Sequence, residues 1–274
     1  MAARVQSLLL GLGKAKQADI VTASASFLRF KKLNVDITST GFSTETDAAE
    51  IGKGNEFVSA AGVFPVAFSP EGRIEKYSSA EFMTWGLCYA LGNVVEAAGT
   101  YTITPLNPAT TLELPMFSVV EQVPEGGATC IDHTFLGCVA EDFLYEFSYG
   151  PGRASGKCTV GWAGSGRRTV PSAVVLPAVQ AENNMLSASM ALTIIGVDVV
   201  TLRTILSGSF GWKNNHILGA GFFPGSGTQD GAQVRGRMEI GSRVPTFQFE
   251  ARLLTGSSEY AKLVAQTTGT VVLT

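Results

Sequence analysis

Charged residues make up only 16% of this 274-residue chain, and histidine occurs only twice, as His133 and His216. With only two histidines, a zinc site built on histidine ligands or a hydrolase with a histidine base is not expected. The net charge of −3 gives no basic surface of the kind that grips duplex DNA. We therefore expect no catalytic residues, no metal site and no cofactor.

The cysteines also lack the spacing of a metal site or of a redox pair. Four are present, at Cys88, Cys130, Cys138 and Cys158, and none belongs to a C-x-x-C pair. Residues 1–13 lack the cleavage pattern of a secretory leader, which favours reduced thiols in a cytosolic setting. No stretch approaches the roughly 20 apolar residues of a membrane helix, so we expect no membrane segment.

Three other stretches resemble chemical motifs but have the wrong spacing. The glycine-rich stretch 150–158 has no glycine five residues before Gly156, so it is not a phosphate-binding loop. The stretch 161–166 lacks the G-x-S-x-G nucleophile elbow. The acids at 45, 47 and 50 do not follow a calcium loop.

What the chain has in abundance is glycine, with 31 residues, and short runs that alternate apolar and polar side chains. Alternation with a period of two predicts half-buried strands, so we expect an all-β fold with one or two short helices. One helix is predicted from the Ser78-Ser79-Ala80-Glu81 cap to Gly92. Residues 133–140 and 142–149 suggest a hairpin. Residues 38–55 and 219–231 read as long loops that we expect to make subunit contacts.

The stretch 234–253 predicts a second hairpin that has one charged and one apolar face. Met238, Phe247 and Phe249 are expected to face the core, because burying several unpaired arginines instead would be costly. Six residues are then expected to face a lumen or a subunit seam, namely Arg235, Arg237, Glu239, Gln248, Glu250 and Arg252. A short helix at 257–264 and a strand at 270–274 close the chain.

The order of these elements suggests an internal duplication. Residues 78–104 and 257–274 each run from a serine cap through a helix to a strand, and extended segments precede both. We accordingly divide the chain into an N-terminal arm (1–26), a first β unit with its helix (27–108), connecting β hairpins (109–184) and a second β unit with its helix (185–274).

Several stretches together resemble the tail tube proteins, or major tail proteins, of bacteriophages. They are the opening Gly11-Leu12-Gly13-Lys14, the segment 135–139 with the strand after it, the strand at 186–195, the Asn214-Asn215 segment, and the closing hairpin, helix and strand. The resemblance implies a β-sandwich or half-barrel that assembles into rings whose lumen is a continuous β-barrel. Such a protein is a structural virion component and not an enzyme.

The resemblance also implies partners and a location. The subunit would pair with itself in stacked rings, as hexamers or, if the duplication is real, as trimers. It would meet the tape measure, tail terminator and distal tail proteins, and it would let DNA pass without sequence-specific contacts. It would reside in the virion tail after assembly in the host bacterial cytoplasm. The competing interpretation is a carbohydrate- or host-binding β-sandwich, in which exposed aromatics would contact the ligand.

Overall fold

A computed structural model provides the structure of the chain. It describes residues 9–31, 34–38, 42–46, 63–68, 70–98, 100–107, 109, 113–125, 128–149, 156–169, 174–185, 192–194, 197–198, 205–217, 222–224, 233–235, 238–251 and 271–273. These residues form mostly β-sheet with one helix, which confirms the predicted all-β class. No helix in these ranges is both long and apolar enough to span a bilayer.

The elements follow one another along the chain in this order. They are β1 (Leu9–Gly13), β2 (Phe27–Leu28), β3 (Asn34–Thr38), β4 (Phe42–Thr46), β5 (Val63–Phe68), β6 (Glu71–Tyr77), α1 (Ala80–Leu91), β7 (Gly92–Ala97), β8 (Thr100–Pro105), β9 (Phe117–Glu125), β10 (Ala128–Ser148), β11 (Lys157–Ala163), β12 (Arg167–Thr169), β13 (Leu192–Ile194), β14 (Val197–Asp198), β15 (Ile205–Lys213), β16 (Phe222–Pro224), β17 (Gln233–Arg235), β18 (Val244–Ala251) and β19 (Val271–Leu273).

The long strand β10 connects two sheets. Its first half pairs with β9 on one edge and β12 on the other, and β9 continues through β1 to β2; we call this sheet A. Its second half pairs with β11 and β15, giving the order β3-β6-β11-β10-β15-β18, which we call sheet B. A strand that passes from one sheet into another is how sandwiches turn their corners.

The predicted hairpin at 133–149 is therefore wrong, because both of its halves belong to β10. The alternation breaks where the register against β11 shifts between Ala140 and Asp142. A β-bulge inserts one residue and bends the strand without reversing it. The sequence shows the same break in period whether a bulge or a turn causes it.

Helix α1 fills the space between the two sheets, and its predicted caps are confirmed. The Ser79 side chain accepts from the Phe82 amide, and Gly92 ends the helix at φ +90°. Trp85 lies edge-on against Phe117 of sheet A and donates its indole N–H to the Gly13 carbonyl at 2.9 Å. On the helix's other side, Gly86 packs so closely on sheet B that a Cβ there would lie 2.9 Å from Val160.

The arm and the connecting segment of the predicted division both contribute to the main sheets. Leu10 and Leu12 of β1 are buried in the core, so the body of the fold holds residues 9–13. The segment 109–184 supplies β9, β10, β11 and β12. The domain boundaries themselves stay predictions.

Two of the predicted loops contain strands, since β4 lies within 38–55 and β16 within 219–231. The final strand is confirmed as β19. The predicted helix at 257–264 lies outside the described residues, and with it the test of the internal duplication.

Candidate assembly surface

Sheet B has two chemically different faces. Phe143, Tyr145 and Phe147 of β10 are buried on the core side, as are Cys158 and Val160 of β11. Because side chains alternate along a strand, the residues between them point to the opposite side. Most side chains on that side are at least partly exposed.

The strand registers define this second surface, which we call the polar face. It consists of Glu71, Arg73, Glu75 and Tyr77 of β6, Lys157, Thr159 and Gly161 of β11, Asp142, Leu144, Glu146 and Ser148 of β10, Ser207, Ser209, Gly211 and Lys213 of β15, and Val244, Thr246, Gln248 and Glu250 of β18. Five of these residues are acidic and three are basic, so the face carries a formal charge of −2.

Charges of opposite sign lie next to each other across the polar face. Lys157 Nζ lies 2.6 Å from Glu75 Oε2, and Arg73 Nη2 lies 4.0 Å from Asp142 Oδ1. On the far side, the Ser207 hydroxyl donates to Glu250 Oε2 at 3.0 Å. Exposed pairs of this kind add little stability. Their effect is to distribute the charge, so that no basic patch stands alone on this surface.

Both ends of sheet B are open within the described part of the chain. Strand β3 pairs there only with β6, and β18 only with β15. Open edges carry unpaired backbone N–H and C=O groups that can pair with another chain. Strand β18 also exposes 42% of Val244 and 47% of Phe249. Within the described residues, the sheet therefore ends on both sides in a strand that is paired on one side alone.

The structure separates the six residues predicted to face a lumen or a seam. Gln248 and Glu250 are exposed and share the polar face, while Phe247 points to the other side and packs against the core. Glu239 is partly exposed and forms an isolated bridge with Ile217. Arg237 and Arg252 lie outside the described residues. Whether the exposed members line a lumen stays a prediction.

For Arg235 the prediction is wrong, because this residue is only 7% exposed within the chain itself. Its guanidinium donates to the Gly164 carbonyl at 2.8 Å, and its amide donates to the Ser165 carbonyl at 2.7 Å. Burial lowers the pKa of Arg235, while the nearby carboxylates of Glu71 and Glu141 act in the opposite direction. Local carbonyl and carboxylate partners thus allow an arginine to be buried.

The predicted hairpin at 234–253 is also wrong. Strand β17 pairs with β16 and, in parallel, with β5, whereas β18 pairs with β15. Phe249 was expected in the core, but it lies at the margin of sheet B opposite Gly208, which has no side chain to cover it. The large cost of removing a fully buried phenylalanine therefore does not apply to Phe249.

The polar face on β6 could have been found from the sequence. Glu71, Arg73 and Glu75 alternate with Gly72 and Ile74, as in a half-buried strand, although the charged Lys76 on the buried side interrupts the pattern. Burial raises the pKa of the Cys138 and Cys158 thiols, which keeps them protonated. Among the described residues, no group of three or more His, Cys, Asp or Glu is placed to hold a metal ion.

His216 is buried within the described chain, with only 8% of its surface exposed. Burial, and then the positive charge of Arg243, lowers the pKa of His216 from 6.5 to about 4. The unfolded chain therefore takes up a proton at His216 before the folded chain does. This linkage destabilises the fold as the pH falls from about 6.5 towards 4, and the contribution is constant above that window.

We expect this to cost about 3 kcal/mol of unfolding free energy between pH 7.5 and 4. Urea unfolding in amine chloride buffers at pH 7.5 and pH 4 gives the loss of unfolding free energy for each protein. The contribution of His216 is the loss in the natural protein minus the loss in His216→Gln. His133→Gln is the control, since it keeps the buried imidazole. A wild-type curve parallel to that of His216→Gln over this range would contradict the expectation.

Comparison with known proteins found no family model that matches the chain and no curated protein that matches it.

Proposed function

We propose that the chain is a bacteriophage tail tube subunit that pairs edge to edge with its own copies. In this proposal β18 of one subunit lies beside β3 of the next, and sheet B closes into a continuous barrel. The observation that carries the proposal is that, within the described residues, one sheet combines a buried aromatic face, a largely exposed polar face and two open edges. A closed barrel removes the open edges.

The charge of the polar face supports its assignment to the lumen. A passing polyanion is held more tightly with each lysine or arginine that faces it. Here the three basic residues are outnumbered by the five acidic ones, and two of the three, Lys157 and Arg73, lie next to carboxylates. Such a wall would stay wet and hold DNA weakly, which suits a conduit. No chemical step is needed, so the proposed role is structural and not enzymatic.

The wider proposal follows from the resemblance to tail tube proteins. The rings would be hexamers, or trimers if the chain is duplicated, and they would stack into a tube in the virion tail. The tube would enclose the tape measure protein and then DNA, and its ends would meet the tail terminator and distal tail proteins. Assembly would take place in the host bacterial cytoplasm.

The alternative, a carbohydrate- or host-binding β-sandwich, needs its exposed aromatics on a common surface. Among the residues whose exposure the structure describes, the most exposed aromatic rings are Tyr77, Tyr101 and Phe249, on β6, β8 and β18. Tyr77 points to the polar face, Phe249 to the opposite side of sheet B, and Tyr101 belongs to the separate β7–β8 sheet. This dispersion favours assembly over a ligand platform.

A proline on the free edge of β18 tests the proposed pairing. Pro245 has no N–H and is in register with Trp212, so its position is one from which the backbone N–H would point away from β15. Phe249 lies four residues on and shares that orientation. We expect Phe249→Pro to fold but to block pairing with a neighbour, because it removes an outward donor and adds a ring at the edge.

Phe249→Ala is the matched control, since it loses the same side chain but keeps the N–H. Circular dichroism reports folding, and sedimentation velocity reports assembly. The proposal expects Phe249→Ala to assemble and Phe249→Pro to remain a single subunit. Equal assembly by the two folded variants would contradict edge pairing through β18.

A further inference from the structure

The loop that contains Asn215 and His216 meets the loop at 241–243 near the end of the β7–β8 hairpin. This places Arg243 near His216. The Asn215 side chain donates to the Ser242 carbonyl at 2.7 Å, and Gly241 packs directly on the Asn215 carbonyl, where a Cβ would lie 1.9 Å away. Arg243 Nη1 donates to the Leu106 carbonyl at the end of the hairpin. These contacts fix the positions of both loops.

The donors left over in this cluster all lack partners. Arg243 Nε and Nη2 are buried and form no hydrogen bond within the described chain, and the same is true of both ring nitrogens of His216. With Nη1 already bound to Leu106, Nε and Nη2 make up the remaining edge of the guanidinium. That edge offers two parallel N–H groups, the geometry that matches the two oxygens of a carboxylate or phosphate.

Among the described residues, no carboxylate compensates the charge of the cluster. An arginine keeps its proton, so Arg243 is a cation, and only burial acts on its pKa. The contrast is with Arg235, on which the carboxylates of Glu71 and Glu141 act. A cation whose donor atoms are covered without an anion is unfavourable. The cluster therefore has the donors and the charge for an anion.

We infer that Arg243 and His216 form an oxyanion-binding site, in which Nε and Nη2 of Arg243 bind two oxygens side by side and His216 donates to the anion. The ligand class is a carboxylate or a phosphate. Arg243 as a whole is only partly buried, so the site lies close to the surface. The oxyanion comes either from solution or from an acidic side chain of a second copy of this chain.

The test uses the full-length protein and inorganic phosphate. Calorimetry measures the affinity, and the imidazole NMR signal of His216, assigned with His133→Gln, reports whether the anion binds at this site. We expect phosphate to shift the His216 signal in saturable fashion. Arg243→Lys keeps the charge but loses the paired donors, and it should weaken binding about ten- to a hundredfold. Arg73→Gln, at an exposed arginine of the polar face, should bind like the natural protein.

Measurements at different protein concentrations distinguish the two sources of the oxyanion. A phosphate-dependent shift in dilute protein assigns a free anion. In the alternative outcome, phosphate leaves the His216 signal unchanged, while concentrating the phosphate-free protein shifts it. If Arg243→Lys abolishes that shift, the oxyanion is a carboxylate of a second copy. The inference is overturned if the His216 signal responds to neither, or if Arg243→Lys and Arg73→Gln affect it equally.

Discussion

Replacing Lys76 by methionine is expected to lower the free energy of unfolding by about 3–5 kcal/mol, the usual cost of leaving one partner of a buried ion pair unpaired. Lys76 Nζ contacts Glu182 Oε2, and these side chains are only 6% and 5% exposed. The ammonium also donates to the Lys31 carbonyl at 2.9 Å. Methionine has a similar shape, so packing is kept while the charge is lost. Urea unfolding at neutral pH measures the change.

The double variant Lys76→Met, Glu182→Leu separates the charge effect from packing. Removing both charges from a buried pair is often neutral, so the double variant should regain most of the stability that Lys76→Met loses. The Glu182 carboxylate also accepts from the Lys31 amide at 2.8 Å, and losing this hydrogen bond limits the recovery. If the double variant is as unstable as the sum of the two single variants, the buried pair does not act as described.

Asn214→Leu is the second variant with a large expected effect, about 3–6 kcal/mol of unfolding free energy, because two buried carbonyls and one partly buried indole N–H would lose their partner. Asn214 is fully buried. Its amide donates to the Ala90 carbonyl of α1 at 3.0 Å and to the Ala140 carbonyl of β10 at 2.9 Å, and its oxygen accepts from the Trp212 indole at 2.9 Å. One side chain thus ties the helix end to two strands of sheet B.

The neighbouring Asn215 provides a matched control for this variant. It is exposed, has a left-handed φ of +43° and makes one side-chain hydrogen bond, to Ser242. Glycine tolerates this backbone conformation, so Asn215→Gly should cost no more than about 1 kcal/mol. Thermal and urea unfolding of both variants compare the costs. Similar costs at 214 and 215 would show that the network around Asn214 is not a main support of the fold.

The helix was predictable from the sequence, whereas the course of the long strand was not. Ser79 and Gly92 are residue types that favour helix caps, and they mark the two ends of α1. Near Glu141 the sequence shows only that the alternation of apolar and polar residues breaks. A bulge and a turn produce the same local pattern, and the choice between them is made by β11 and β15, which come later in the chain.

The candidate surface was predictable only strand by strand. The alternation of 244–251 placed Gln248 and Glu250 opposite Phe247, and the structure confirms that arrangement. That β18 pairs with β15, and β6 with β11, depends on contacts far apart in sequence. Arg235 shows the same limit, because its carbonyl partner on Gly164 lies 71 residues away. A period-two pattern cannot show that a charged residue has buried partners elsewhere.

Electron cryomicroscopy of the purified protein at assembling concentrations tests the central claim most directly. We expect rings or tubes in which β18 of each subunit lies beside β3 of its neighbour, with Glu250, Gln248 and Glu146 on the lumen wall. Dispersed single subunits at high concentration, or a tube in which the polar face of sheet B points outwards, would contradict it.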